Sequence, residues 1–140
     1  MNKHHYVAIM AGGIGSRFWP MSRTDFPKQF LDILGTGKTL IQQTYERYNK
    51  LVSPENIYVV TAQEYVGIVK KQLPGLPEEN ILAEPSRKNT APCIAYIAFK
   101  LLKKDPAALM IAAPADNLVL ETDEFIATAK KALDFVGHIN

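Results

Sequence analysis

Apolar residues gather in four short runs, at positions 6–10, 56–61, 80–83 and 109–113. The runs are rich in Val, Ile, Leu and Ala and do not alternate with polar residues. Strands of that kind are apolar on both faces and belong to a sheet covered on both sides. Between the runs the apolar spacing becomes helical. Over 40–48, Leu40, Ile41, Thr44, Tyr45 and Tyr48 share one stripe, with Gln42, Glu46, Arg47 and Asn49 elsewhere. Residues 64–72 form a shorter helical pattern. Residues 90–103 carry Ala91, Ile94, Ala95, Ile97, Ala98, Leu101 and Leu102, which suits a well-buried helix. Residues 123–136 repeat the pattern through Phe125, Ile126, Ala129, Ala132, Leu133 and Val136, with Thr122 as the N-cap. Strand and helix alternate along the whole chain. The pattern predicts a Rossmann-like three-layer α/β/α fold, its mostly parallel sheet joined by right-handed crossovers.

Composition narrows the function more than the fold. The chain has 140 residues, enough for one domain, and 47% of them are hydrophobic, enough for a core. With 21% charged residues and a net charge of +2, the balance argues against nucleic-acid binding through bulk charge. Any cationic function is local. The single cysteine, Cys93, excludes an internal disulfide framework and fits a reducing compartment. No apolar stretch reaches the roughly 18 residues of a membrane span. The apolar run near the N-terminus is too short for a signal-peptide core. These features point to a cytoplasmic protein with neither a membrane nor a nucleic-acid partner.

Three of the four predicted strands are followed by loops of unusual composition. In an open α/β sheet, ligands bind beyond the carboxyl ends of the strands, so parallel strands would bring these loops to one edge. The first loop, residues 11–30, reads AGGIGSRFWPMSRTDFPKQF. Gly12, Gly13 and Gly15 let the backbone take positive φ and approach a ligand closely. Successive backbone N–H groups can then cradle phosphate oxygens. Arg17 offers a bidentate fork for phosphate and Lys28 a point charge, while Pro20 and Pro27 stiffen the loop. The third strand leads into EPSRKNTAP, where Asn89 and Thr90 stand at the N-cap of a long helix. They either cap that helix only or also face a nucleotide at its N-terminus. The fourth leads into PADN. Asp116 there either pairs with a base such as Arg17 or holds a divalent cation, and Asn117 could reach the same place. Mg²⁺ commonly takes one or two carboxylates together with substrate phosphates and waters.

Two other phosphate signatures fail. The dinucleotide pattern would align Gly13 and Gly15, but its third glycine falls on Phe18. A Walker pattern could use Gly37, Lys38 and Thr39, but its first glycine falls on Asp32. The GTGKT stretch is better read as capping the helix that starts near Thr39. Cys93 reads as a small core residue, His4 and His5 as exposed, and His138 as terminal. Phe18 and Trp19 are expected to pack the first loop against the domain. No His, Cys or Ser arrangement suggests nucleophilic catalysis.

The first loop resembles the signature of the sugar nucleotidyltransferases, G-G-x-G-x-R-x-x-P followed by P-K. Its WPMSR and PKQF segments, together with EPSRKNTAPCIAY and PADN, are similar to the motifs of the mannose-1-phosphate guanylyltransferase branch. Two positions depart from that branch: Lys88 stands where it has Arg, and Asn117 where it has His. The resemblance implies in-line nucleotidyl transfer from GTP to mannose 1-phosphate, giving GDP-mannose and pyrophosphate, with no covalent enzyme intermediate. It implies that Ala11, Gly12, Gly13, Gly15 and Ser16 hold the nucleotide. Arg17 would bind the leaving pyrophosphate, Lys28 the reacting phosphate, and Asp116 a Mg²⁺ ion. Glu84, Pro85, Asn89 and Thr90 would lie near guanine and ribose.

Members of that family are much longer, and their sugar pocket and a second metal carboxylate come from a later half. The expectation is therefore that residues 1–140 form the N-terminal, nucleotide-binding part of a catalytic domain and are inactive alone. A sheet left with an open edge also invites pairing with a second copy, a homo-oligomer. Two alternatives stand beside this reading: a stand-alone regulatory nucleotide-binding module, and a P-loop nucleotide hydrolase built on Lys38.

Overall fold

Four parallel strands pair in the order third, second, first, fourth in a computed structural model that describes residues 2–13, 26–84 and 90–139. Strand β1 spans His5–Met10, β2 Ile57–Ala62, β3 Ile81–Glu84 and β4 Leu109–Pro114. Helix α1 spans Leu40–Asn49, α2 Val66–Gln72, α3 Thr90–Lys104 and α4 Thr122–Ile139. The register sets Ile9 against Val59 on one side of β1 and against Ala113 on the other. Alternate residues of β1 enter two separate cores. Val7 and Ile9 pack with Ile41, Tyr45, Val69 and Leu133, from α1, α2 and α4. Tyr6 and Ala8 pack with Cys93, Ile97 and Leu101 of α3. The unalternating apolar runs thus have the cause expected of them: helices lie on both faces.

The helix and strand starts are fixed by polar clasps. Thr39 caps α1 in a capping box, its hydroxyl accepting from Gln42 N while the Gln42 side chain accepts from Thr39 N at 2.9 Å. Asn56 and Asn80, read from the sequence as first strand residues, each end a 3-10 turn instead. The reason is their carboxamides. Asn56 donates to Lys3 O and His5 O, and Asn80 to Glu55 O and Ile57 O, at 2.9–3.0 Å. Each carboxamide binds the end of a neighbouring segment and leaves its own residue outside the ladder. At α4, Thr122 is the first helical residue rather than the cap, since Glu121 O accepts the first helical bond, from Phe125 N at 3.0 Å.

Other expectations are corrected. His5 is buried at 6% exposure, because it opens β1 in register with Leu109. Burial holds its pKa below the usual imidazole value. Arg47, which lies off the apolar stripe of α1, is buried as well. Helix α3 buries one stripe only; Tyr96, Phe99 and Leu102 are exposed. Periodicity marks apolar faces, but it cannot say which of them a sheet will cover.

Candidate nucleotide site

The crevice between the carboxyl ends of β1 and β4 is the point where the strand order reverses, the usual place for a ligand in an open α/β sheet. A cavity of about 420 Å³ lies there, lined by the start of the glycine loop, Lys28, Glu84, Thr90 and the 114–116 turn. All three loops singled out in the sequence therefore reach one hollow. Among the residues assigned to them, Ala11, Gly12, Gly13, Lys28, Glu84, Thr90 and Asp116 line it. Gly15, Ser16, Arg17, Pro85 and Asn89 lie outside the described residues, as do Phe18 and Trp19.

The glycine loop leaves β1 under tight control. Ala11 N donates to Val60 O at 2.8 Å, and Ala11 O accepts from the Thr61 hydroxyl at 3.0 Å. Gln29, buried at 3% exposure, donates from one amide nitrogen to Ala11 O and Gly13 O, both at 2.9 Å. Among the described residues, positive φ occurs at Gly35 and Gly37 and not at Gly12 or Gly13. At Gly12 a Cβ would meet the Glu84 carboxylate at 3.5 Å; at Gly13 it would enter open space. Neither position requires glycine for its backbone conformation, and at Gly13 the missing Cβ leaves open space beside the cavity.

Lys28 sits in a 3-10 turn, Lys28–Phe30, seated by the fully buried Phe30 ring against Tyr65, with centroids 5.6 Å apart. Its ammonium pairs with the Asp116 carboxylate, and both side chains are about a quarter exposed at the cavity. Asp116 follows Ala115, whose N–H donates to Met10 O at 3.0 Å, so β1 holds the turn from inside. Asn117 is exposed and does not line the cavity; its carbonyl accepts from Arg47.

Sequence reasoning missed Gln29 and placed Cys93 only in the core. Gln29 carried a signal, a polar residue between Lys28 and an apolar Phe30 in a loop that had to be fastened. Cys93 does lie in the second core, and it also lines the cavity. Burial, and then the charge of Glu84, push its thiol up to about 11. Alkylation by iodoacetamide at pH 8 is therefore expected to run on the order of a hundredfold slower than for free cysteine, since the thiolate is the nucleophile. A rate within about threefold of free cysteine would contradict that microenvironment.

The Gly37–Thr39 stretch is not a phosphate cradle. The Asp32 carboxylate accepts from Thr36 N at 3.0 Å and Gly37 N at 2.7 Å, occupying the amides that such a loop would present. Lys38 pairs with Glu46 at 2.6 Å. Among the described residues no helix is long and apolar enough to cross a membrane.

The profile of the nucleotidyl transferase family matches residues 6–136. Mannose-1-phosphate guanylyltransferase of Escherichia coli K12 is 39% identical over 134 residues, covering 93% of this chain and 28% of that protein. The alginate biosynthesis protein AlgA of Pseudomonas putida is 44% identical over 115 residues, covering 79% of this chain and 23% of that protein. A crystal structure of mannose-1-phosphate geranyltransferase from Thermus thermophilus superposes with a TM-score of 0.81 at 32% identity, covering 91% of this chain and 37% of that one. The chain spans about a quarter of the length of the curated relatives it matches.

Proposed function

Because the chain belongs to the nucleotidyl transferase family, we propose that its carboxyl-edge cavity binds a nucleoside triphosphate for transfer of the nucleotidyl group to a sugar 1-phosphate. The names of the relatives above support GTP and mannose 1-phosphate as the pair. The observation that carries the reading is the meeting of Lys28 and Asp116 at the rim of a cavity walled by Gly12 and Gly13. One oxygen of mannose 1-phosphate attacks the α-phosphorus. The bond from that phosphorus to the oxygen bridging the β-phosphate breaks, and pyrophosphate leaves with the electron pair. Such chemistry needs positioning and charge stabilisation more than covalent participation.

Each residue then has a role. Gly12 and Gly13 let the triphosphate lie close to the backbone, with Gln29 fixing the carbonyls behind them. Lys28 neutralises charge on the reacting phosphate. By the resemblance, Arg17 is assigned the leaving pyrophosphate, and Gly15 and Ser16 the nucleotide. Glu84 and Thr90, which line the cavity, are assigned to the guanine and ribose, as are Pro85 and Asn89 by the resemblance. Asp116 would hold the Mg²⁺ ion: its carboxylate lines the cavity, where it pairs with Lys28, and the described residues add no cluster of three or more His, Cys, Asp or Glu side chains. An ion there would complete its shell with phosphates and water, as Mg²⁺ does. When bound, it would offset phosphate charge during transfer.

This reading assigns the chain the nucleotide half of the site and the relatives' further length the sugar half. The 140-residue chain is expected to bind GTP with magnesium in calorimetry, more tightly than ATP or dTTP, and to release little pyrophosphate with mannose 1-phosphate. Equal affinity for the three nucleotides would sink the guanine assignment, and turnover at ordinary enzymatic rates would sink the division of the site. Lys38→Ala is expected to leave GTP affinity within about twofold, since Lys38 does not line the cavity and its exposed pair with Glu46 contributes only about 0–1 kcal/mol to the fold; loss of binding would restore the P-loop reading.

A further inference from the structure

Asp116 stands between two residues whose carbonyls are both held by α1. Thr44, fully buried, donates its hydroxyl to Ala115 O at 3.2 Å. Arg47 donates from Nη2 to Asn117 O at 3.2 Å and to the Thr44 hydroxyl oxygen at 3.1 Å. The backbone is thus pinned on each side of the residue whose carboxylate meets Lys28.

Arg47 occupies a costly position. It is 6% exposed, its Nε has no hydrogen-bond partner, and no carboxylate pairs with it among the described residues. Burying a charge on those terms is unfavourable. Part of the cost is offset by the Tyr48 and Phe125 rings, 5.7 and 5.5 Å from the guanidinium carbon. Its place in the last turn of α1 also favours a cation. A methionine would pack the same rings with no desolvation penalty. What the guanidinium adds is its link to Thr44 and to the Asn117 carbonyl.

We propose that Arg47 is a positioning residue: with Thr44 it fixes the 115–117 turn, and through it the place of the Asp116 carboxylate relative to Lys28 and the cavity. The proposal rests on the reading of Asp116 as the carboxylate that holds the cation. Small misplacements of such a group are costly, because the ion must meet carboxylate and phosphate together.

The test uses the 140-residue chain with Arg47→Met and Arg47→Lys. The first keeps the stem against the rings and removes the donors. The second keeps the charge and can satisfy one acceptor at a time. In Arg47→Met, amide hydrogen exchange at Ala115 is expected to accelerate at least about tenfold, while Val7 and Ile9 in β1 change less than about twofold. In calorimetry, the ratio of GTP affinity with magnesium to that without is expected to fall about tenfold, less in Arg47→Lys, with metal-free affinity unchanged. If Arg47→Met does not fold, Arg47→Lys carries both readouts. Acceleration of all three amides together would mark Arg47 as a general stabiliser and overturn the proposal. So would an unchanged ratio in a variant whose parent responds to magnesium. A parent chain without magnesium-dependent GTP binding would instead sink the functional reading, and exchange at Ala115 would still decide whether Arg47 fixes the turn.

Discussion

Asp116→Ala is expected to weaken GTP binding when magnesium is present and not when it is absent. With the ion present, the loss of its protein carboxylate should weaken binding by about tenfold to a hundredfold, the size of one charge-assisted interaction of about 1.5–3 kcal/mol. With chelator, binding should hold steady or strengthen. Lys28 then loses the Asp116 carboxylate that competes for its ammonium, and the triphosphate meets one negative charge fewer. Lys28→Ala should weaken binding under both conditions, because it removes a phosphate partner whether or not the ion is there. Calorimetry of the two variants at fixed ionic strength reads the contrast. A parallel loss in both variants, independent of magnesium, would show that Asp116 serves only as the partner of Lys28.

Phe30→Ala should be the most damaging single change to stability near the site. The ring is 1% exposed, and it packs against Tyr65 and, edge-on, against Phe26. Removing such a ring costs about 3–5 kcal/mol through lost transfer energy and the cavity left behind. That is a large share of the roughly 5–15 kcal/mol available to a typical domain. Urea unfolding should show a lower midpoint with an unchanged slope. The loss should extend to GTP affinity at temperatures where the variant is still folded. Phe30 seats the turn that carries Lys28, and its carbonyl accepts from Gln72 at 3.0 Å. A cost under about 1 kcal/mol would mean that the turn is held by the Gln29 and Gln72 hydrogen bonds rather than by the ring.

The architecture was legible because its signal is local. Four apolar runs without alternation, separated by helical spacing, fix a doubly covered parallel sheet, and the strands fall within one residue of the expected bounds at both ends. The small errors have physical causes. Asn56 and Asn80 read as strand residues because they abut apolar runs, yet their carboxamides serve neighbouring segments. His5 reads as solvent-exposed beside His4, but pairing with β4 turns it inward. The loops were legible through glycine, lysine and aspartate, residue types whose chemistry shows in isolation. Gln29, Thr44 and Arg47 were not, because their meaning lies in partners far along the chain. Thr44 lies 71 residues from Ala115, and Arg47 lies 70 from Asn117. Residues beside an apolar stripe look solvent-facing until a second helix lies against them, as α4 does through Phe125.

The account depends on one hollow at the carboxyl edge receiving the triphosphate. Titration of the isotopically labelled chain with GTP and magnesium, followed by backbone amide shifts, tests this directly. Perturbations should concentrate at Gly12, Gly13, Lys28, Glu84, Thr90 and Asp116, with Thr36, Gly37 and Lys38 unmoved. A response centred on 35–39, or on the opposite edge around His4 and Asp105, would contradict the account.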